Sequence, residues 1–271
     1  MHLLLRAWIA AGRIQRRWRK PPASAMGGIR EQFIAENAPG KSFADIGGLF
    51  ALEGEIAFLA EQHRASRVTL VDGADPTHFT FPEKHAARGS SVRFVQADLD
   101  DPQIVDQVGR HDVVFCSGVI YHTPNPIRQL LHLREITGDV LFLGTHTLPE
   151  LPGLRQLCMY YPFLDEADRR VLATAHYRPE SLWGVGRAFD DTPGHGYHNF
   201  WWGMTRTAVR AMLRSARFEV VAEPRPREWP FISNFIARPI RARPILPPLS
   251  HARQHATQRA RRGEALPAEE I

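Results

Sequence analysis

Cysteine is nearly absent from this 271-residue chain. The two present, Cys116 and Cys158, support neither a disulfide framework nor a four-thiolate metal site, so a reducing, cytoplasmic setting is the simplest expectation. Long apolar runs are also missing. Residues 1–20 come closest, but Arg6 and Arg13 interrupt them well short of the ~20 apolar residues a bilayer span needs. They also lack the unbroken core and small-residue cleavage site of a signal peptide. Acidic residues are missing from 1–30, which carry seven Arg or Lys. Aromatic residues are missing from 239–271, so the tail's arginines have no stacking platform and its case for nucleic-acid binding rests on charge alone. Lysine is scarce, three against 31 arginines, a skew from which no function follows.

What is present divides the chain in three. Residues 1–30 form a basic segment in which Leu4, Trp8, Ala11, Ile14 and Trp18 fall near one helical face. Such a stripe is expected to pack on its own domain or a partner, with peripheral contact to an anionic membrane as the alternative. Residues 238–271 read as a poorly ordered extension rich in Pro and Arg. The body, 31–237, carries a net −6 within a chain of net +5. At 44% hydrophobic residues, the chain has enough apolar material for a full core.

The body opens on an apolar run that ends in Asp45, followed by Gly47, Gly48 and a helix-compatible stretch. A strand, a tight glycine turn and a helix N-terminus together can hold a nucleoside-bearing cofactor. The alternative is an ordinary turn. Asp72 closes the next apolar run 27 residues later, where an acid can accept both ribose hydroxyls. Strand patterns fall at 42–46, 67–71, 92–97, 112–116 and 139–144, with helix patterns at 52–63, 78–87, 102–108 and 126–136 between them. In the last helix Pro126 suits the first turn and Gly138 a C-terminal cap. This alternation predicts an α/β fold, a mainly parallel sheet with helices on both faces and its ligand site at the carboxyl strand ends. It stops for the aromatic-rich stretch 145–204, read as an insertion after the fifth strand that lids the crevice. A helix at 205–215, a strand at 218–222 and an antiparallel strand within 229–237 complete the pattern.

These features resemble, in order, the class I S-adenosylmethionine-dependent methyltransferases. The likeness rests on Asp45-Ile46-Gly47-Gly48, Asp72, Gln96-Ala97-Asp98-Leu99 and Phe115-Cys116-Ser117-Gly118-Val119-Ile120-Tyr121-His122. The segment 117–122 followed by Asn125-Pro126 is similar to a subgroup of tRNA wobble-uridine carboxymethyl-transferring enzymes and glycan or small-molecule methyltransferases. The resemblance implies a Rossmann-like seven-stranded sheet and S-adenosyl-L-methionine as cofactor. Gly47 and Gly48 would approach the cofactor's methionine portion, and Asp45 would orient the turn or meet the amino group. Asp72 would take the ribose, with Gly73 beside the adenine. Asp98 would accept from the adenine amino group, with Leu99 against the ring. Ser117 and Gly118 would line the methionine carboxyl end. Where the family prefers glycine this chain has Leu49 and Ala51, and Leu49 is expected to add bulk beside the cofactor.

Methyl transfer needs alignment and, where the nucleophile carries a proton, a base. His122, His146 and His198 are the candidates, each facing the alternative of a structural role. His195 and His198 alone, without a third ligand, give no metal site. Cys116 reads as a buried small side chain, and 165–170 as a solvated helix face. The leading expectation is methyl transfer to O or N of a small molecule or glycan. A tRNA-modifying transferase and an inactive binding module on the same fold are the alternatives.

Overall fold

The computed structural model describes residues 28–148, 150, 153, 155–173, 186–224 and 232–240. The expected helix within 1–20 and almost all of the basic tail lie outside them. No described helix is long and apolar enough to cross a membrane.

The main sheet has seven strands. In chain order these are β1 (Ser42–Ile46), β2 (Arg67–Asp72), β3 (Arg93–Gln96), β4 (His111–Ser117) and β5 (Thr137–His146), with β8 (Phe218–Ala222) and β9 (Ile232–Pro239) after the insertion. Their spatial order is β3-β2-β1-β4-β5-β9-β8. β1 to β5 run parallel, while β9 pairs antiparallel with β5 and with β8. The parallel strands are short and apolar because both their faces are covered. Along β4, Val113 and Phe115 join one core, Val114 and Cys116 the other; along β5, Val140 and Phe142 alternate with Leu141 and Leu143 in the same way.

Helices α1 (Ile29–Asn37), α2 (Glu55–Gln62) and α3 (Phe81–Arg88) cover the first face through Phe33, Ile34, Ile56, Phe58 and Phe81. Helices α4 (Ile104–Val108), α5 (Pro126–Ile136) and α7 (Arg206–Ser215) cover the second through Ile104, Leu130, Leu133, Val209 and Leu213. The expected doubly covered α/β architecture is therefore present.

Two local expectations need correction. Pro126 does open α5, but Gly138 is no cap: the chain turns extended at Thr137 and Gly138 lies within β5. There a Cβ would sit 3.0 Å from the His111 carbonyl oxygen, so glycine serves close strand approach. The second helix also starts later than expected. Residues 51–54 form a turn, Glu53 and Gly54 both take the left-handed region, and α2 begins at Glu55.

The insertion carries β6 (Cys158–Tyr160) paired antiparallel with β7 (Trp202–Met204), and α6 (Glu166–Ala173). Glu166 and Arg170 pair on an exposed face of α6. A 3-10 turn, Gly196–His198, precedes β7. Hydrogen bonds tie the insertion to the loop after β4: Trp201 N–H donates to the Tyr121 carbonyl at 2.8 Å, and Trp202 Nε1 to that of Pro124 at 3.2 Å.

Candidate functional site

The carboxyl ends of β1 to β4 gather the residues named from sequence. Gly47 leaves β1 with φ 76°, and a Cβ there would collide with Val119 Cγ2. A Cβ on Gly48 would collide with the Asp45 carboxylate. Both glycines are thus fixed by their immediate neighbours, one by conformation and one by an acid packed beneath the turn.

Leu49 departs from expectation. Its side chain is fully buried in the core against α1 and α2, and it adds no bulk to the crevice. Only its backbone faces the site, donating to Asp72 Oδ2 at 3.0 Å. Ala51 takes a left-handed conformation, φ 64°, that suits glycine better than alanine. Ala51→Gly is expected to raise stability by about 0.5–1 kcal/mol, roughly 2 °C, because relief of the left-handed alanine outweighs the added chain entropy. Thermal unfolding checks this, and a lowered midpoint would count against it.

Asp45 is 2% exposed, and burial pushes its carboxyl up to about 8; Asp72 adds to the shift and Arg30 opposes it. Its Oδ2 is buried with no hydrogen-bond partner. Asp72, at the end of β2, accepts from Leu49 N–H and from Ala74 N–H, each at 3.0 Å. Burial raises its carboxyl despite those bonds. Gly73 has open space beside it, the nearest atom to a built Cβ being 3.9 Å away. Asp98 accepts Asp100 N–H at 2.8 Å on Oδ1, while the Tyr197 hydroxyl of the insertion donates to its Oδ2. Leu99 points its side chain into the second core, and its carbonyl meets His132 Nδ1 at 2.7 Å. Ser117 ends β4 and Gly118 follows it at φ 84°, its N–H donating to the Gly144 carbonyl at 2.9 Å.

Sequence reasoning missed Arg30. By charge it belongs with the basic N-terminal segment, yet α1 begins at Ile29 and carries it into the body. Its Nη2 donates to Ser117 Oγ at 3.1 Å, within electrostatic range of Asp45 and Tyr121. Burial pulls its guanidinium below the ordinary value, though an arginine stays charged. The apolar spacing of Ile29, Phe33 and Ile34, which all pack on the first core, is a signal for that helix.

Two of the three histidines pack against Phe200. His122 and His146 both pack against Tyr121 and Phe200. His122 is held by the insertion: its Nδ1 lies 2.8 Å from the Asn199 carbonyl oxygen, and the Tyr197 carbonyl also meets the ring. Burial lowers its imidazole to about 4. His146 ends β5, half-buried and edge-on to Tyr121. His198 is exposed, its ring 5.0 Å from that of His195. Cys116 is fully buried, which pushes its thiol well up and leaves it inert.

No protein-family model matches the sequence. Over 111 residues the chain is 28% identical to a tRNA U34 carboxymethyltransferase from Campylobacter concisus, covering 40% of this chain and 37% of that protein's length. Among solved structures, the N-terminal domain of EvdMO1 with S-adenosylhomocysteine and D-fucose is similar at a TM-score of 0.50 and 18% identity, over 88% of this chain and 97% of that one. The 1,6-didemethyltoxoflavin-N1-methyltransferase of Burkholderia thailandensis, bound to its acceptor and S-adenosylhomocysteine, is similar at 0.50 and 16%, over 88% of each chain. Strand order, reversed last strand and these likenesses agree: the chain has the class I S-adenosylmethionine-dependent methyltransferase fold.

Proposed function

We propose that the chain is an S-adenosylmethionine-dependent methyltransferase acting on oxygen or nitrogen of a small molecule or glycan. The observation that carries this reading is one row of acids, Asp45, Asp72 and Asp98, at the carboxyl ends of three adjacent parallel strands beside the glycine turn. The residues fit the cofactor's chemistry. A buried carboxylate oxygen without a partner suits a cationic amino group, and a guanidinium on Ser117 suits a carboxylate. Asp72 would hold the ribose and Asp98 the adenine amino group, Tyr197 giving up its bond to Asp98. When bound, the cofactor supplies an electrophilic methyl group on a sulfonium. The chain's own part is to align the acceptor, exclude water beneath the insertion, and take the acceptor's proton.

For the base we favour His146. His122 is engaged by insertion carbonyls and His198 stands beside His195 in solvent, whereas His146 sits at a carboxyl strand end like the acids. His146→Ala is expected to lower kcat about 100-fold with little change in cofactor affinity. An unchanged kcat would return the role to His122 or His198.

Isothermal titration with S-adenosylmethionine and its demethylated product tests the main reading: both should bind at micromolar levels, and binding of neither overturns it. Asp72→Ala should weaken both about 10-fold or more.

The Campylobacter relative favours a second reading, a tRNA-modifying transferase using a carboxylated cofactor. The basic ends support it and the net −6 of the body opposes it. Salt-dependent retention of tRNA would decide for it. A catalytically inactive module would bind cofactor with no acceptor turnover.

A further inference from the structure

We propose that Asp190, His195 and His198 form a binding site for a divalent transition-metal ion, zinc above all, on the outer edge of the insertion. One candidate ligand atom from each residue lies within 4.8 Å of the other two. Bound tetrahedrally at ~2.0–2.1 Å, zinc needs its ligand atoms about 3.3 Å apart, so modest side-chain rotation closes the gap.

The local backbone explains the convergence. His195 caps the 3-10 turn and His198 ends it, three residues later. Residues i and i+3 eclipse in a 3-10 helix, and their rings stand 5.0 Å apart on one side. Asp190 is brought opposite by Asn199, a buried side chain that accepts Asp190 N–H at 2.8 Å and donates to the Asp190 carbonyl at 2.9 Å. The Asp190 carboxylate is itself aimed: Thr192 N–H donates to Oδ1 at 3.1 Å, and His195 Nδ1 lies 2.9 Å from Oδ2. A metal ion entering there takes the place of the proton shared between that imidazole and that carboxylate.

Two imidazoles and one carboxylate favour zinc and its first-row neighbours over magnesium or calcium, which prefer all-oxygen sets. The His195 side chain is 45% exposed, so water completes the coordination. The same ten residues carry Tyr197, bonded to Asp98, and Asn199, bonded to His122. An ion at this position would therefore fasten the strap that reaches Asp98 and His122. Sequence alone gave two histidines without a third ligand; the fold supplies Asp190.

The test uses untagged full-length protein and zinc in competition with a chromophoric chelator, with cobalt(II) as a visible-absorption probe. One equivalent should bind with micromolar or tighter Kd. His195→Ala and His198→Ala should each weaken it at least 10-fold, and His78→Ala, on the exposed 3-10 turn after β2, should not. Metal-free melting of the variants should match the parent, which separates lost ligation from lost folding. Magnesium should not compete. Binding absent at 0.1 mM zinc (roughly the weakest that a three-ligand site would show), or unchanged in the two variants, would overturn the proposal. The readout is independent of whether methyl transfer occurs.

Discussion

Asp45→Asn is expected to stabilise the unliganded protein while weakening its hold on cofactor, two effects of opposite sign from one carboxylate. An aspartate in an unfolded chain titrates near 3.9, whereas burial pushes Asp45 up to about 8. Below about pH 4 both states keep the proton and burial carries no electrostatic penalty. Between about 4 and 8 the unfolded chain ionises while the folded chain does not, so stability falls as pH rises. Above about 8 both are ionised and the loss levels off. Asparagine keeps the shape under Gly48 and removes the charge, so the variant should gain about 2 kcal/mol at pH 9, and much less at pH 4. Thermal unfolding across that range reads it.

The binding effect follows from the same atom. An ionised Asp45 facing the cofactor's ammonium makes a charge-assisted pair that asparagine cannot, and about 30-fold in Kd is expected to go with it. At pH 7 the parent should release close to one proton on binding, because its carboxyl is held mostly neutral when empty and ionises against the cation. Calorimetry in two buffers of different ionisation enthalpy measures that proton. Asp45→Asn should release none. A variant less stable than the parent at pH 9, or unaltered proton release, would sink this account.

Such a role for Asp45 was partly legible in the sequence, and the boundary of legibility has physical causes. The acids near the carboxyl ends of β1 and β2 and just past β3 stand out against the apolar runs before them, and strand ends are where a parallel sheet exposes its chemistry. Pro126 marks α5 because its fixed φ and missing N–H belong in a first turn. Gly138 misled because a glycine after a helix reads as a cap, and only the β4–β5 register reveals that a Cβ would strike His111. Leu49 misled because its backbone and side chain face opposite ways: the N–H reaches Asp72 while the isobutyl group enters the core. The His195–His198 pair is visible in sequence but its third partner is not, because Asp190 joins it through Asn199 rather than through spacing.

Arg30 is the plainest case of a site residue hidden by context, and it yields the second large effect. Seven Arg or Lys in the first thirty residues blur into a basic segment, yet Arg30 reaches Ser117. Arg30 bonds Ser117 and lies within electrostatic range of Asp45, so a cation and an acid stand side by side at the carboxyl ends of β1 and β4. An amino-acid moiety answers both groups at once: its carboxylate meets Arg30 and its ammonium ionises Asp45. Arg30→Ala should therefore weaken S-adenosylmethionine and S-adenosylhomocysteine about 30-fold or more, while 5′-methylthioadenosine, which has neither charged group, binds as before. Arg30→Lys should recover part of the loss, since a point charge replaces the guanidinium fork. Equal weakening of all three ligands would assign Arg30 to packing α1 against the sheet, and no weakening of any would remove it from the pocket. Selective loss would mean that the helix preceding the first strand, and not only the strand ends, selects an amino-acid-bearing nucleoside over a plain one.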